Sequence, residues 1–223
     1  MELTMQLLLD SAIIDEARQA AGWGWVSGAT TNPTLLAKSA LSPAETLKEL
    51  SRLFKGPIFY QLTGGTIELM KEEAKLAEDI LGSQLVLKIP ATTLGFQACA
   101  ALSAKYTVAI TSLYTPAQAL AANASGARYA LYYHNRAKRL LPDGADLAQR
   151  LINALSGTDT LVVAASLKST AELVESRMAG VPILSAPLNV LAALPYNEHS
   201  DTAVDEFNQT GTGLLAITKK AAQ

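Results

Sequence analysis

Short apolar runs alternate with longer segments of helical periodicity along the whole chain. The apolar runs cover residues 6–10, 24–30, 57–62, 84–89, 106–111, 128–133, 160–165 and 181–185, which makes eight candidate strands. Between them, residues 14–21, 43–54, 66–81, 94–104, 116–124, 146–155 and 169–179 carry apolar residues at helical spacing. A last helical stretch starts near residue 201 and reaches 207 or beyond. The strand runs do not alternate apolar and polar; Leu7-Leu8-Leu9 and Leu161-Val162-Val163-Ala164-Ala165 are apolar throughout. Strands buried on both faces read this way, and helix-covered parallel sheets are buried on both faces. Eight such units predict an α/β fold, a single (β/α)8 TIM barrel with an additional C-terminal helix, as one domain over residues 1–223. The competing layout is an open doubly wound sheet, which has fewer strands and often a glycine-rich first turn. Gly22, Gly24 and Gly28 do not follow the first strand and do not form the dinucleotide fingerprint.

Composition narrows the class. Hydrophobic residues make up 49% of the chain and charged residues 17%, so a sizeable core can form. The low charge fraction also points to surface covered by other subunits. Lys and Arg number 18 against 20 Asp and Glu, a net charge of −2. Neither a nucleic-acid footprint nor an acidic-membrane binder is expected from that balance. One cysteine, Cys99, excludes an internal disulfide and a four-cysteine zinc site, and the two histidines form no paired metal motif. No metal is expected. The first ten residues hold no basic n-region, and no run of apolar residues is long enough to span a bilayer. A cytoplasmic protein is expected.

A barrel of this kind holds its active site at the carboxyl ends of the strands. Every predicted strand stops at or just before a hydrogen-bonding group: Asp10, Thr30 followed by Asn32, Gln61, Lys88, Thr111, Tyr133 followed by Asn135 and Arg136, Ser166 with Lys168, and Ser185. Any one of them is ordinary, because polar residues commonly end strands. Together they describe a polar ring around one mouth.

Lys88 is the most informative of these. It stands inside Leu85-Val86-Leu87-Lys88-Ile89-Pro90, where a charged lysine is costly. Period two puts it on the same side as Val86; if Leu87 faces the helices, Lys88 points into the barrel. One reading is a lysine snorkelling into solvent from a strand end. The other is a desolvated amine of lowered pKa, able to attack a carbonyl carbon and form an imine. Arg136, Ser166 and Lys168 follow the sixth and seventh strands, where barrels often hold phosphate. A guanidinium fork, a hydroxyl and a point charge suit a phosphate dianion, and they equally suit a surface ion-pair set. Gly64-Gly65 could admit an anion to backbone N–H groups, although a glycine pair more often makes only a turn. His134 stands close enough to reach the mouth, Cys99 reads as small packing in a helix, and His199 as solvated.

Taken together, Asp10-Ser11-Ala12, Thr30-Thr31-Asn32-Pro33-Thr34, Leu87-Lys88-Ile89-Pro90-Ala91-Thr92, Asn135-Arg136 and Ala164-Ala165-Ser166-Leu167-Lys168 resemble the transaldolase family. The likeness is greatest to its short-chain branch, which includes fructose-6-phosphate aldolase. It covers nearly the whole chain in order and spacing. The resemblance implies a metal-free class I mechanism with no cofactor, in which Lys88 forms the Schiff base and Asp10 orients or deprotonates a substrate hydroxyl. Thr30 and Asn32 would hold a dihydroxyacetone unit, and Arg136, Ser166 and Lys168 the phosphate of a phosphorylated sugar. It also implies a homo-oligomer, a decamer of two stacked pentamers in which the C-terminal helix reaches a neighbour.

Gln61 and Tyr133 decide the branch. Transaldolases proper typically carry Glu and Phe at the matching places, whereas the aldolase branch has Gln and Tyr, as here. A phenol with Thr111 and Gln61 can hold a water and relay a proton to an enamine, and a phenylalanine cannot. The expected activity is therefore cleavage or formation of fructose 6-phosphate from dihydroxyacetone and glyceraldehyde 3-phosphate. The alternative is transfer of the dihydroxyacetone unit to an aldose phosphate. Leu131-Tyr132 and Ala109 depart from the aldolase pattern; Leu131 would narrow the donor pocket and Ala109 would open it elsewhere, a swap that either conserves the shape or alters the preferred donor, and Asn189 stands where relatives tend to have an acid.

Overall fold

The computed structural model describes residues 5–214. The chain divides into two compact units, Met1–Leu191 and Ala192–Gln223. The span expected as a single domain includes residues 1–4 and 215–223, which lie outside the described residues. In the first unit eight strands, all parallel, close into a barrel in chain order. They are β1 (Gln6–Asp10), β2 (Gly28–Thr30), β3 (Ile58–Gln61), β4 (Leu85–Pro90), β5 (Val108–Leu113), β6 (Tyr129–Tyr133), β7 (Leu161–Ala165) and β8 (Ile183–Ala186). The helices between them are α1 (Ile14–Gly22), α2 (Pro33–Leu36), α3 (Pro43–Leu53), α4 (Ile67–Leu81), α5 (Thr93–Leu102), α6 (Pro116–Ala124), α7 (His134–Leu140), α8 (Leu147–Ala154), α9 (Thr170–Met178) and α10 (Leu188–Ala192). The fold is the (β/α)8 TIM barrel that the alternating pattern predicts.

Three helices have no counterpart in the pattern: α2, α7 and α10, of four, seven and five residues. Each is too short to establish a period of its own. The second strand is also shorter than expected. Gly24 takes a φ of +79° in a turn, and the flanking rings of Trp23 and Trp25 stack at 5.1 Å, so pairing begins only at Gly28. A Cβ at Gly28 would collide with the carbonyl oxygen of Pro57, so only glycine lets β2 enter beside β3 here.

Many of the helix starts are set locally. Ser42 and Glu45 form a reciprocal capping box at α3, and Thr66, Thr92, Thr115 and Ser169 cap α4, α5, α6 and α9. Gly95, in the first turn of α5, lies so close to the Pro90 carbonyl that any side chain would displace the end of β4, two residues from Lys88.

The strands place the site through their two-residue period. Leu8, Phe59, Val86, Ala109, Leu131, Val163 and Ile183 come from seven different strands yet form one buried cluster, so they fill the barrel interior. Two residues further along the same strands stand Asp10, Gln61, Lys88, Thr111, Tyr133, Ala165 and Ser185. Thr30 sits opposite Asp10 across the β1–β2 pairing, and Gln61 opposite Lys88 across β3–β4. An almost wholly polar layer thus lies directly on the apolar one, at the carboxyl ends of the strands. In β5 the register shifts between Thr111 and Leu113, and Ser112 adopts a φ of 65° at that bulge.

The second unit contains α11 (Glu198–Thr210), the additional C-terminal helix, which starts three residues before the expected position and is capped by Asn197. None of its residues is buried, and Val204 and Phe207 are exposed. No helix among the described residues is long and apolar enough to cross a membrane.

Candidate active site

Lys88 is 2% exposed, which rules out a snorkelling lysine. Its Nζ donates to the backbone carbonyl of Thr31 and reaches the cavity at the barrel mouth. Burial pushes the pKa of its amine below the ordinary lysine value, and the nearby Tyr133 and Asp10 only partly oppose that shift. Asp10, half-buried opposite, moves the other way. Burial raises its carboxyl pKa, and the charge of Lys88 and a hydrogen bond from Thr30 draw it back down. Both shifts favour the uncharged forms, the state in which the amine is a nucleophile.

The Thr30 hydroxyl donates to Asp10 Oδ1 at 2.8 Å and lies 2.6 Å from the Ser185 hydroxyl. With the one Thr30 proton directed at the carboxylate, Ser185 must donate to Thr30, so a chain of two hydroxyls holds Asp10 from the β8 side. Asn32 follows at the start of α2. Its side-chain oxygen caps that helix through the Leu35 N–H at 2.9 Å, which leaves the amide nitrogen as the donor for the cavity. The Asn32-Pro33 sequence therefore does two jobs: the asparagine caps, and the proline occupies a position where no N–H is needed.

On the opposite wall the Thr111 hydroxyl donates to the Tyr133 hydroxyl at 3.3 Å. The guanidinium carbon of Arg136 lies 4.6 Å from the centre of the Tyr133 ring, a cation–π contact that ties the rim to the inner layer. The cavity encloses about 460 Å³. Nine of the ten residues singled out from the sequence line it: Asp10, Thr30, Asn32, Gln61, Lys88, Tyr133, Arg136, Ser166 and Lys168. The tenth, Thr111, stands behind Tyr133. Leu131 forms part of the wall, while Ala109 lies in the apolar layer. Tyr132, its neighbour, points to the helix layer, where its hydroxyl donates to Ser176 at 3.2 Å.

Three features in and around the cavity were not legible from the sequence. Ser166 has a φ of 59°, a conformation that costs a non-glycine residue about 1–2 kcal/mol and turns the chain sharply off β7. Ser185 was visible as a polar strand end, but its bond to Thr30 needs the closure of β8 on β1. Glu172, on α9, is buried, and its carboxylate accepts from Asn135 Nδ2 and from the Lys168 backbone N–H, both at 2.7 Å. The Ser169-Thr170-Ala171-Glu172 spelling was available as a capping-box signal. Ser169 does accept from the Glu172 N–H, but the glutamate carboxylate reaches back to Lys168 instead of to Ser169.

The histidine reading needs correction. His134 does not face the mouth. It is buried between α7 and α9, with Nδ1 at 3.2 Å from both the Tyr132 and Ser176 hydroxyls. A carboxylate stands near it: Nε2 lies 3.3 Å from Glu175, which also pairs with Lys138 at 2.8 Å. Burial holds its pKa below the usual histidine value despite Glu175. The Gly64 N–H does meet an anion, but that anion is the protein's own Glu73, whose carboxylate also accepts from Thr63 and Tyr60. Cys99 is buried in α5, and His199 is exposed.

The closed parallel barrel thus carries a buried lysine in a polar mouth. The family model described as Transaldolase/Fructose-6-phosphate aldolase matches residues 7–222, and the chain belongs to that family. Among curated relatives, a probable transaldolase of Symbiobacterium thermophilum is 33% identical over 91% of this chain and 95% of its own length. One from Hydrogenobaculum is 34% identical over 91% and 94%, and one from Kosmotoga olearia 33% identical over 94% and 100%. Among solved structures, a mandelate oxidase superposes with a TM-score of 0.57 at 16% identity, covering 86% of this chain and 66% of that one. A lactate oxidase from Pediococcus acidilactici gives 0.58 at 12% identity, covering 82% of this chain and 62% of that one. At that identity the two oxidases share the fold alone.

Proposed function

We propose that this chain is a class I aldolase that cleaves and forms fructose 6-phosphate, using Lys88 as the imine-forming amine. Lys88 Nζ attacks the ketone carbon, and loss of water leaves an iminium. A base removes the C4 hydroxyl proton, the C3–C4 bond breaks into the iminium electron sink, and glyceraldehyde 3-phosphate departs. The base is Asp10 or the water held by Tyr133, Gln61 and Thr111. Protonation of the enamine carbon and attack of water on the resulting imine release dihydroxyacetone. Arg136, Ser166 and Lys168 bind the phosphate, while Thr30 and Asn32 hold the three-carbon unit. The iminium supplies the electron sink, so the proposal calls for no cofactor. An assembly of several copies and a cytoplasmic setting belong to the same proposal.

The observation that carries the aldolase reading is the Tyr133 hydroxyl, hydrogen-bonded to Thr111 and facing the same cavity as Lys88 and Gln61. A phenol there can return a proton to the enamine. Without one, the enamine persists until an aldehyde captures it, which is transfer. The second reading, transaldolase activity, is favoured by the name that the similar relatives carry. The two readings share every step up to the enamine.

The test is release of glyceraldehyde 3-phosphate and dihydroxyacetone from fructose 6-phosphate with no acceptor aldehyde present. The aldolase reading expects steady turnover, and Tyr133→Phe should slow it by about a hundredfold while transfer to erythrose 4-phosphate persists. Turnover that appears only after an aldose is added would establish transfer instead.

A further inference from the structure

The cationic rim of the cavity is assembled from two separate parts of the chain. Arg136 belongs to the first turn of α7, after β6; Ser166 and Lys168 belong to the loop between β7 and α9. Arg136 and Lys168 are exposed, and no ion pair fixes either side chain among the described residues. Something else has to set their separation. Among the described residues, only one side chain bonds to both parts. Glu172 takes Asn135 Nδ2 on one carboxylate oxygen and the Lys168 backbone N–H on the other, each at 2.7 Å.

We infer that Glu172 is a positioning residue, a buried strut that holds Arg136 and Lys168 at the spacing of a substrate phosphate. It makes no contact with the cavity itself. Both its oxygens are engaged by donors, which is what makes a buried carboxylate tolerable beside an anion site. Asn135 immediately precedes Arg136, so a fixed Asn135 sets the direction in which the α7 turn presents the guanidinium. On the other side, Ser166 turns through its positive φ, Leu167 is wholly buried, and Ser169 caps α9, so the loop is held on either side of Lys168. With the Lys168 N–H bonded to Glu172, the loop has one conformation in which Ser166 faces the cavity.

The inference rests on the phosphate assignment made above, and its test separates the two. Glu172→Gln retains one acceptor for the Lys168 N–H but turns an NH2 towards the Asn135 NH2. The preference for glyceraldehyde 3-phosphate over unphosphorylated glyceraldehyde, taken as the ratio of kcat/KM in the synthetic direction, should fall about tenfold. Inhibition by inorganic phosphate should weaken to the same degree. Glu172→Gln combined with Asn135→Asp restores a matched pair with the same total charge and should recover most of the preference. A merely structural role would lower kcat/KM for both aldehydes equally, leave their ratio unchanged, and overturn the inference. A double variant no better than Glu172→Gln would overturn it as well. Borohydride trapping of dihydroxyacetone is run on the same proteins. No adduct on Lys88 in the unmodified enzyme would defeat the imine mechanism; an aldehyde preference unaltered in Arg136→Ala would defeat the phosphate assignment; and a preference lowered in Arg136→Ala but unaltered in Glu172→Gln would defeat the strut alone.

Discussion

Two kinds of basic side chain meet at one cavity, and the protein positions them by different means. Lys88 is buried inside a strand, and the register of β4 between β3 and β5 decides where its amine lies. Arg136 and Lys168 are exposed on a short helix and a loop, and they are steadied by a ring face and a carboxylate from elsewhere. The first arrangement changes what the group is: desolvation favours a neutral nucleophile. The second leaves two exposed charges and adjusts their geometry. In the proposed mechanism covalent chemistry falls to the sheet and recognition to a loop and a short helix, the division a barrel with functional loops at its strand ends favours.

That contrast can be broken most severely at the lysine. Lys88→Ala should abolish the borohydride-trapped adduct and lower turnover by about 10⁴-fold or more, because no other lysine is buried among the described residues. Activity surviving that change would remove the imine from the account. Arg136→Ala should act on recognition instead. KM for glyceraldehyde 3-phosphate should rise about thirtyfold with little change for unphosphorylated glyceraldehyde, and the trapped adduct should still form. Equal losses on the two aldehydes would erase the division of labour. The smallest effect is a shift of pH dependence. Trapping requires the neutral amine, so its rate should rise with pH along a limb below the ordinary lysine value of 10.5. The Asp10 carboxylate raises the Lys88 pKa, so Asp10→Asn should move that limb to still lower pH in a measured trapping-rate profile. A limb that moves upward or stays fixed would show that Asp10 does not act on the amine electrostatically.

The two regions also differed in how far they could be read from residues alone. Lys88 stood out because a charged group inside Leu85-Val86-Leu87 contradicts its surroundings, and period two then named the wall it faces. The same period carries Asp10, Gln61, Thr111 and Tyr133 into one layer once the barrel closes. Glu172 did not stand out. It reads as an ordinary first-turn glutamate of a helix, and its partners are 37 and 4 residues away. His134 misled for a related reason. Its chain neighbour Tyr133 lines the mouth, but His134 and Asn135 begin α7 and both turn towards α9, where they meet Ser176 and Glu172.

What the amino-acid order determined by itself was the architecture and the layer. Eight apolar runs, their spacing and the polar residue that ends each one require only local period and burial, and these are properties of short segments. What tertiary structure decided was which side chains meet. The Ser185–Thr30–Asp10 chain depends on β8 closing against β1, and the Asn135–Glu172–Lys168 strut on α9 lying beside α7. All but the Lys168–Glu172 bond join residues 20 or more apart in the chain, and such hydrogen bonds are specified by angles and distances that no local pattern contains.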